Sequence, residues 1–93
     1  MSTLSADLLH EMFEYVNGRL VRKVTTSPRA QAGMTAGTSN VRGYVEVSIN
    51  HQLYPIHRLM FLMHHRYLPK QVEHIDNNSL NNRIENLRGV RET

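Results

Sequence analysis

The chain has no cysteine and no tryptophan, and aromatic residues make up only 6% of its 93 residues. Without thiols, disulfides, thiolate-bound zinc and a cysteine nucleophile are excluded. So few large rings in a domain this small predict a thin core, near the size at which one core is marginal. Hairpins and hydrogen-bonded loops must supply the remaining order. Long apolar runs are missing too: the longest, Leu59 to Met63, falls far short of the ~20 residues that cross a bilayer. The N-terminus carries acids rather than the basic stretch of a signal peptide. These absences lead to the expectation of a soluble cytoplasmic protein with no membrane partner.

Charge is unevenly spread. Residues 1–14 hold Asp7, Glu11 and Glu14 with no Lys or Arg, whereas all eleven Lys and Arg lie between residues 15 and 91. A basic body behind an acidic leading segment suits a phosphate-rich partner. An ordinary solvated surface gives the same count, so charge permits nucleic acid without requiring it.

Leu4, Leu8, Leu9, Met12 and Phe13 recur at helical spacing, with Ser5 and Asp7 placed for the first turn, and predict a helix over about 5–13. Asn17-Gly18 between two apolar stretches predicts a hairpin, because both residues tolerate positive φ. Residues 25–42 are rich in Thr, Ser, Gly and Ala and read as a loop, longer than a small domain usually carries without a use. Gly43 to Ile49 alternates as a half-buried strand, turning at 50–52 into Leu53-Tyr54. Ile56 to Tyr67 predicts a helix that buries Leu59, Phe61, Leu62 and Met63. Gln71 to Glu73 is a short strand ending at His74, and Asn86 to Val90 is another. The expected class is α+β, one domain over 1–93 without internal repeats.

Chemistry concentrates at the C-terminal end. Glu73-His74 is followed by Asn77-Asn78-Ser79-Leu80-Asn81-Asn82 and then by Asn86. An imidazole is largely neutral at cellular pH and accepts a proton from water. A carboxylate beside it suits a hard divalent ion, which neutralises a phosphate and stabilises a departing oxygen. Alternation along a strand puts Glu73 and His74 on opposite faces, unless the strand ends there. Asn side chains donate and accept, so they fix irregular loops, and Asn86 is placed to hold the histidine loop rigid. The bland alternative is an ordinary surface pair followed by Asn-rich turns.

Residues 72–88, Val-Glu-His-Ile-Asp-Asn-Asn-Ser-Leu-Asn-Asn-Arg-Ile-Glu-Asn-Leu-Arg, resemble the signature of phage-type HNH homing endonucleases. That family reads Asp-His-Ile-Asp-Gly-Asn and then Asn-Asn-Arg-Ile-Glu-Asn-Leu-Arg. Phe13-Glu14-Tyr15, Asn17-Gly18-Arg19-Leu20, Gly43-Tyr44-Val45 and His57-Arg58-Leu59 match in the same order, extending the resemblance over about 11–91. It implies a ββα-metal core over about 55–93 and divalent-metal-dependent cutting of double-stranded DNA, with nicking expected of a monomer. His74 matches the general base, Asn86 the residue that orients the loop and histidine, and Glu73 a metal ligand for Mg2+ or Mn2+. The family has Asp where this chain has Glu73, and its extra methylene displaces the carboxylate. Asp76 matches a structural loop residue.

The family's second metal ligand, on a helix after the second strand, would fall beyond Thr93, and its usual large residue after Leu-Arg is Gly89 here. Three readings follow: a truncated chain, a homodimer in which another subunit supplies the ligand, or a scaffold that has lost cutting. In the last case the expected role is a catalytically inactive phage protein that binds DNA or inhibits a host protein. The implied setting is the cytoplasm of a phage host.

His57 reads as a histidine packed under the site loop, and His10 and His51 as surface residues. His64-His65 are neighbours on a helix, diverge by about 100° and form no metal pair. Arg29, Arg42, Arg83 and Arg88 are the expected phosphate contacts, which position DNA without reading its sequence.

Overall fold

Helix α1, Ala6–Met12, starts where Ser5 caps it by accepting a hydrogen bond from the Leu8 N–H at 3.1 Å, and it buries Ala6 and Leu9. These features belong to a computed structural model that describes residues 4–90. Phe13 leaves the helix in extended backbone and opens strand β1, Phe13–Val16, which pairs antiparallel with β2, Arg19–Arg22. The turn between them uses Asn17 at φ 50° and Gly18 at φ 82°, the pair of positive angles expected of Asn-Gly.

The stretch 25–42 is not all loop. It contributes two-residue strands β3, Thr35–Ala36, and β4, Thr38–Ser39, which extend two different sheets. β3 adds to β2, while β4 adds to β5, Val45–Ile49, itself paired with β6, Gln52–Pro55. Gly37 links β3 to β4 at φ 104°, and a Cβ there would lie 2.5 Å from Ile56 Cδ1. Only glycine lets the chain pass so close to the core while changing sheet. The β5–β6 turn is made by Asn50 and His51, both at positive φ.

Helix α2, Ile56–His65, is the central element, packed by α1 and flanked by β5, β6 and the last hairpin. It stops two residues before the expected Tyr67, because Arg66 adopts left-handed backbone (φ 64°) and caps it through an N–H to Leu62 carbonyl bond. Ile56, Leu59, Met60, Phe61 and Met63 are buried, while Leu62, expected inside, is only half-buried. With Leu9, Phe13 and Leu20 they form one apolar cluster, each side chain contributing roughly 1.5–3 kcal/mol by leaving water. The side chains of Asp7 and Arg66 form an exposed ion pair between the start of α1 and the end of α2.

The final hairpin joins β7, Gln71–His74, to β8, Leu87–Val90, through residues 75–86, which end in a 3-10 turn, Ile84–Asn86. Gly89 sits where a Cβ would meet Pro69 at 3.0 Å and Phe61 at 3.1 Å. The space beside Gly89 is thus taken by Phe61 and Pro69, leaving none for the large residue expected there. The metal-ligand helix expected after β8 would begin at residues 91–93, outside the described residues.

Candidate active site

Alternation along β7 buries Val72 and His74 and exposes Gln71 and Glu73, as the period of a strand requires. His74 is 8% exposed, and the side chain of Asn82, 4% exposed, meets it from the returning loop. Asn82 Oδ1 accepts from His74 Nε2 at 2.8 Å. That bond places the ring proton on Nε2 and leaves the lone pair on Nδ1. Nδ1 has no partner among the described residues and is not sealed from solvent.

Asn86 works one step further back. Its Nδ2 donates to Asp76 Oδ1 at 2.8 Å and to the Asn81 carbonyl at 2.9 Å, and its Oδ1 accepts the Asp76 N–H at 3.1 Å. Its backbone carbonyl accepts the Ile75 N–H at 2.8 Å. Asn86 therefore anchors both ends of the loop that carries Asn82, but does not itself touch His74. Asp76 is consumed by the same network. Its carboxylate accepts from Asn81 Nδ2, the Asn78 N–H and Asn86 Nδ2, and these bonds hold it below the usual carboxylate range.

Asn82 is the residue that sequence reasoning missed. The run offers Asn77, Asn78, Asn81, Asn82 and Asn86, and spacing alone does not tell which reaches the histidine. The choice is made by local turns: Asn77 at φ 62°, then Asn78 Oδ1 accepting the Leu80 N–H at 3.0 Å.

His74 lines an open cleft of about 370 Å³ together with Tyr44, His57, Arg58, Glu73 and Asn77. The His57 ring lies 4.8 Å from the His74 ring, and Tyr44 sits 5.7 Å from the first and 6.1 Å from the second. His57 is therefore part of the cleft wall and not only packing beneath it. Burial, helped by the His74 and Arg58 charges, pushes the His57 pKa down to about 4. His57 stays neutral near pH 7 and adds no positive charge beside His74. Arg58 stands in the same wall, its guanidinium donating to the Lys70 carbonyl at 3.0 Å.

Glu73 reaches this cleft from the exposed face of β7, with its side chain 45% exposed. Its carboxylate is held by Arg88, its partner across the β7–β8 ladder. Arg88 is thus engaged within the protein, whereas Arg29, Arg42 and Arg83 are exposed with no acidic partner among the described residues. His64 and His65 stack against each other at 80°, with His65 also on Phe61, away from the cleft. His10 Nε2 meets the Met63 carbonyl at 2.9 Å, tying α1 to α2.

Residues 54–92, which include this cleft's β7–β8 hairpin, match the family model described as HNH endonuclease. That match supports HNH-family membership for the C-terminal part of the chain. No curated protein and no solved structure matches the chain significantly. The matched stretch carries His57, Glu73, His74, Asn82 and Asn86, so the site built above lies inside the HNH segment, and only Tyr44 reaches it from outside.

HNH nucleases generally depend on a divalent metal. Among the described residues no three His, Asp or Glu side chains converge at metal-binding range. The cleft offers a hard ion one carboxylate, Glu73, with the Asn77 amide beside it. With one carboxylate, a hard divalent ion would keep several waters there and take further oxygens from a phosphate.

Proposed function

We propose that this HNH domain is a divalent-metal-dependent DNA endonuclease in which His74 is the general base. The reading is carried by one observation: a buried imidazole whose Nε2 is committed to Asn82 while its lone-pair Nδ1 stays open at a polar cleft. Proton transfer in hydrolysis needs such a fixed tautomer. His74 Nδ1 takes a proton from water, the water oxygen bonds to phosphorus, and the P–O bond to the leaving oxygen breaks. Arg58 adds positive charge at the same wall, and neutral His57 keeps the base from facing a second cation. Glu73 would hold Mg2+ or Mn2+, which when bound neutralises phosphate charge. Arg29, Arg42 and Arg83 supply contacts to the DNA backbone. One base per chain cuts one strand, so a monomer nicks.

Incubating supercoiled plasmid with the protein in Mg2+ or Mn2+, against a chelator control, tests this. Nicked circles that form only with metal are expected. No conversion in either metal, or equal conversion in chelator, contradicts the proposal.

The engagement of Glu73 by Arg88 favours a second reading, a domain that keeps the HNH scaffold and binds DNA without cutting it. It predicts a metal-independent, salt-sensitive DNA complex and no nicking.

A further inference from the structure

Asn82, the hydrogen-bond partner of His74, also lines a second cavity of about 320 Å³, together with Asn17, Arg19, Asn78, Asn81 and Arg83. Among the described residues no carboxylate lines it. Arg19 and Arg83 have no acidic partner among the described residues. Asp76, which is bonded to the cavity residues Asn78 and Asn81, is engaged in its own network with them and Asn86. The amide oxygens of three of the four asparagines are also spent, Asn82 Oδ1 on His74 Nε2. Asn78 Oδ1 accepts the Leu80 N–H at 3.0 Å and Asn81 Oδ1 accepts the Arg83 N–H at 3.4 Å. Two guanidiniums, the Asn78 and Asn82 NH2 groups and the Asn17 carboxamide remain, so donors and positive charge predominate in the cavity. Chemistry of that kind selects an anion.

The two arginines are also held at a fixed spacing. Arg19 opens β2 directly after the Asn17-Gly18 turn, and a Cβ on Gly18 would lie 2.9 Å from Arg83 N and 3.0 Å from its Cγ. The hairpin turn and the Asn-rich loop thus touch backbone to backbone. Tyr15 OH accepts the Ile84 N–H at 2.9 Å and ties β1 to the same loop end. A cavity formed by two interlocked elements loses little freedom when an ion enters.

We infer that this cavity binds a backbone phosphate of the DNA strand whose neighbouring phosphate occupies the His74 cleft. The inference rests on the nuclease reading for the identity of the ligand; Asn82, which lines the cavity and bonds His74, and Asn78, flanked in sequence by the cleft residues Asn77 and Ser79, set the two sites side by side for two phosphates of one strand. Arg19 is then a binding residue alongside Arg83, and the β1–β2 turn belongs to the DNA surface.

The test is equilibrium binding of a 20-base-pair duplex in chelator at several salt concentrations. The proteins compared are the parent, Arg19→Gln, Arg83→Gln, the double variant and Arg66→Gln, with thermal melting to show that each is folded. Each cavity arginine is expected to lower the slope of log affinity against log salt by about 0.9, and the pair by about 1.8. Arg83→Lys keeps the charge and keeps the slope. Arg66→Gln, at the Asp7 pair away from the cavity, leaves it unchanged. An unaltered slope in the double variant, or an equal loss in Arg66→Gln, overturns the inference. Binding without nicking removes the nuclease reading and leaves the cavity standing; nicking with an unaltered slope removes the cavity alone. No DNA binding at all removes both.

Discussion

His74 depends on a single neighbour for its tautomer. Replacing Asn82 by Leu keeps the volume but removes the acceptor from a buried N–H, which costs about 1–3 kcal/mol of stability. The proposed nicking rate falls with it, and Asn82→Asp, which restores an acceptor, recovers part of the rate. Nicking rates and melting temperatures of the two variants check both effects; equal rates in the parent and Asn82→Leu would separate the bond from catalysis. His57 gives a pH-dependent effect of defined sign. Its folded pKa is pushed down to about 4, below its unfolded value, so the unfolded chain binds more protons between those values. Stability is therefore fully present above the unfolded pKa and declines as pH falls toward 4. His65, lowered mainly by burial, acts in the same direction, and Asp76 adds its own loss only at more acid pH. A His57→Gln variant is expected to show a shallower fall in melting temperature from pH 7 to 4, and a fall as steep as the parent's would count against this assignment.

At the scale of elements, the β7–β8 ladder sets Glu73 opposite Arg88, so a metal ion bound as proposed would compete with a guanidinium for one carboxylate. Arg88→Gln is expected to lower the Mg2+ or Mn2+ concentration needed for half-maximal binding, and Glu73→Gln to raise it. Metal titration by calorimetry reads both directly, and indifference to Arg88→Gln would show that Glu73 is not the ligand. The β1–β2 turn is equally specific. Gly18→Ala puts a side chain at φ 82° against Arg83 N, and about 1–2 kcal/mol of stability is expected to be lost. The hairpin was legible because Asn-Gly carries its own backbone preference, and both helices because their apolar spacing repeats. β3 and β4 were not, since two-residue strands have no period and their pairing is set by distant β2 and β5.

Across the whole molecule, Arg19 and Arg83 line the cavity beside the Asn-rich loop and Arg29 and Arg42 lie in the 25–42 stretch, while the Asp7 charge is spent on Arg66. The sequence made the class, both helices and the longer strands readable, because each is written in local spacing. It did not make Asn82, the joint role of Tyr44 and His57, or the Arg19 cavity readable. These depend on which loop residues meet after residues far apart in the chain are folded together. The HNH account turns on His74 as the base. Single-turnover nicking of supercoiled plasmid by the parent and by His74→Ala, in the same metal, measures this most directly. A drop of about 10²- to 10⁴-fold in the variant is predicted. Equal rates in the two proteins would contradict it.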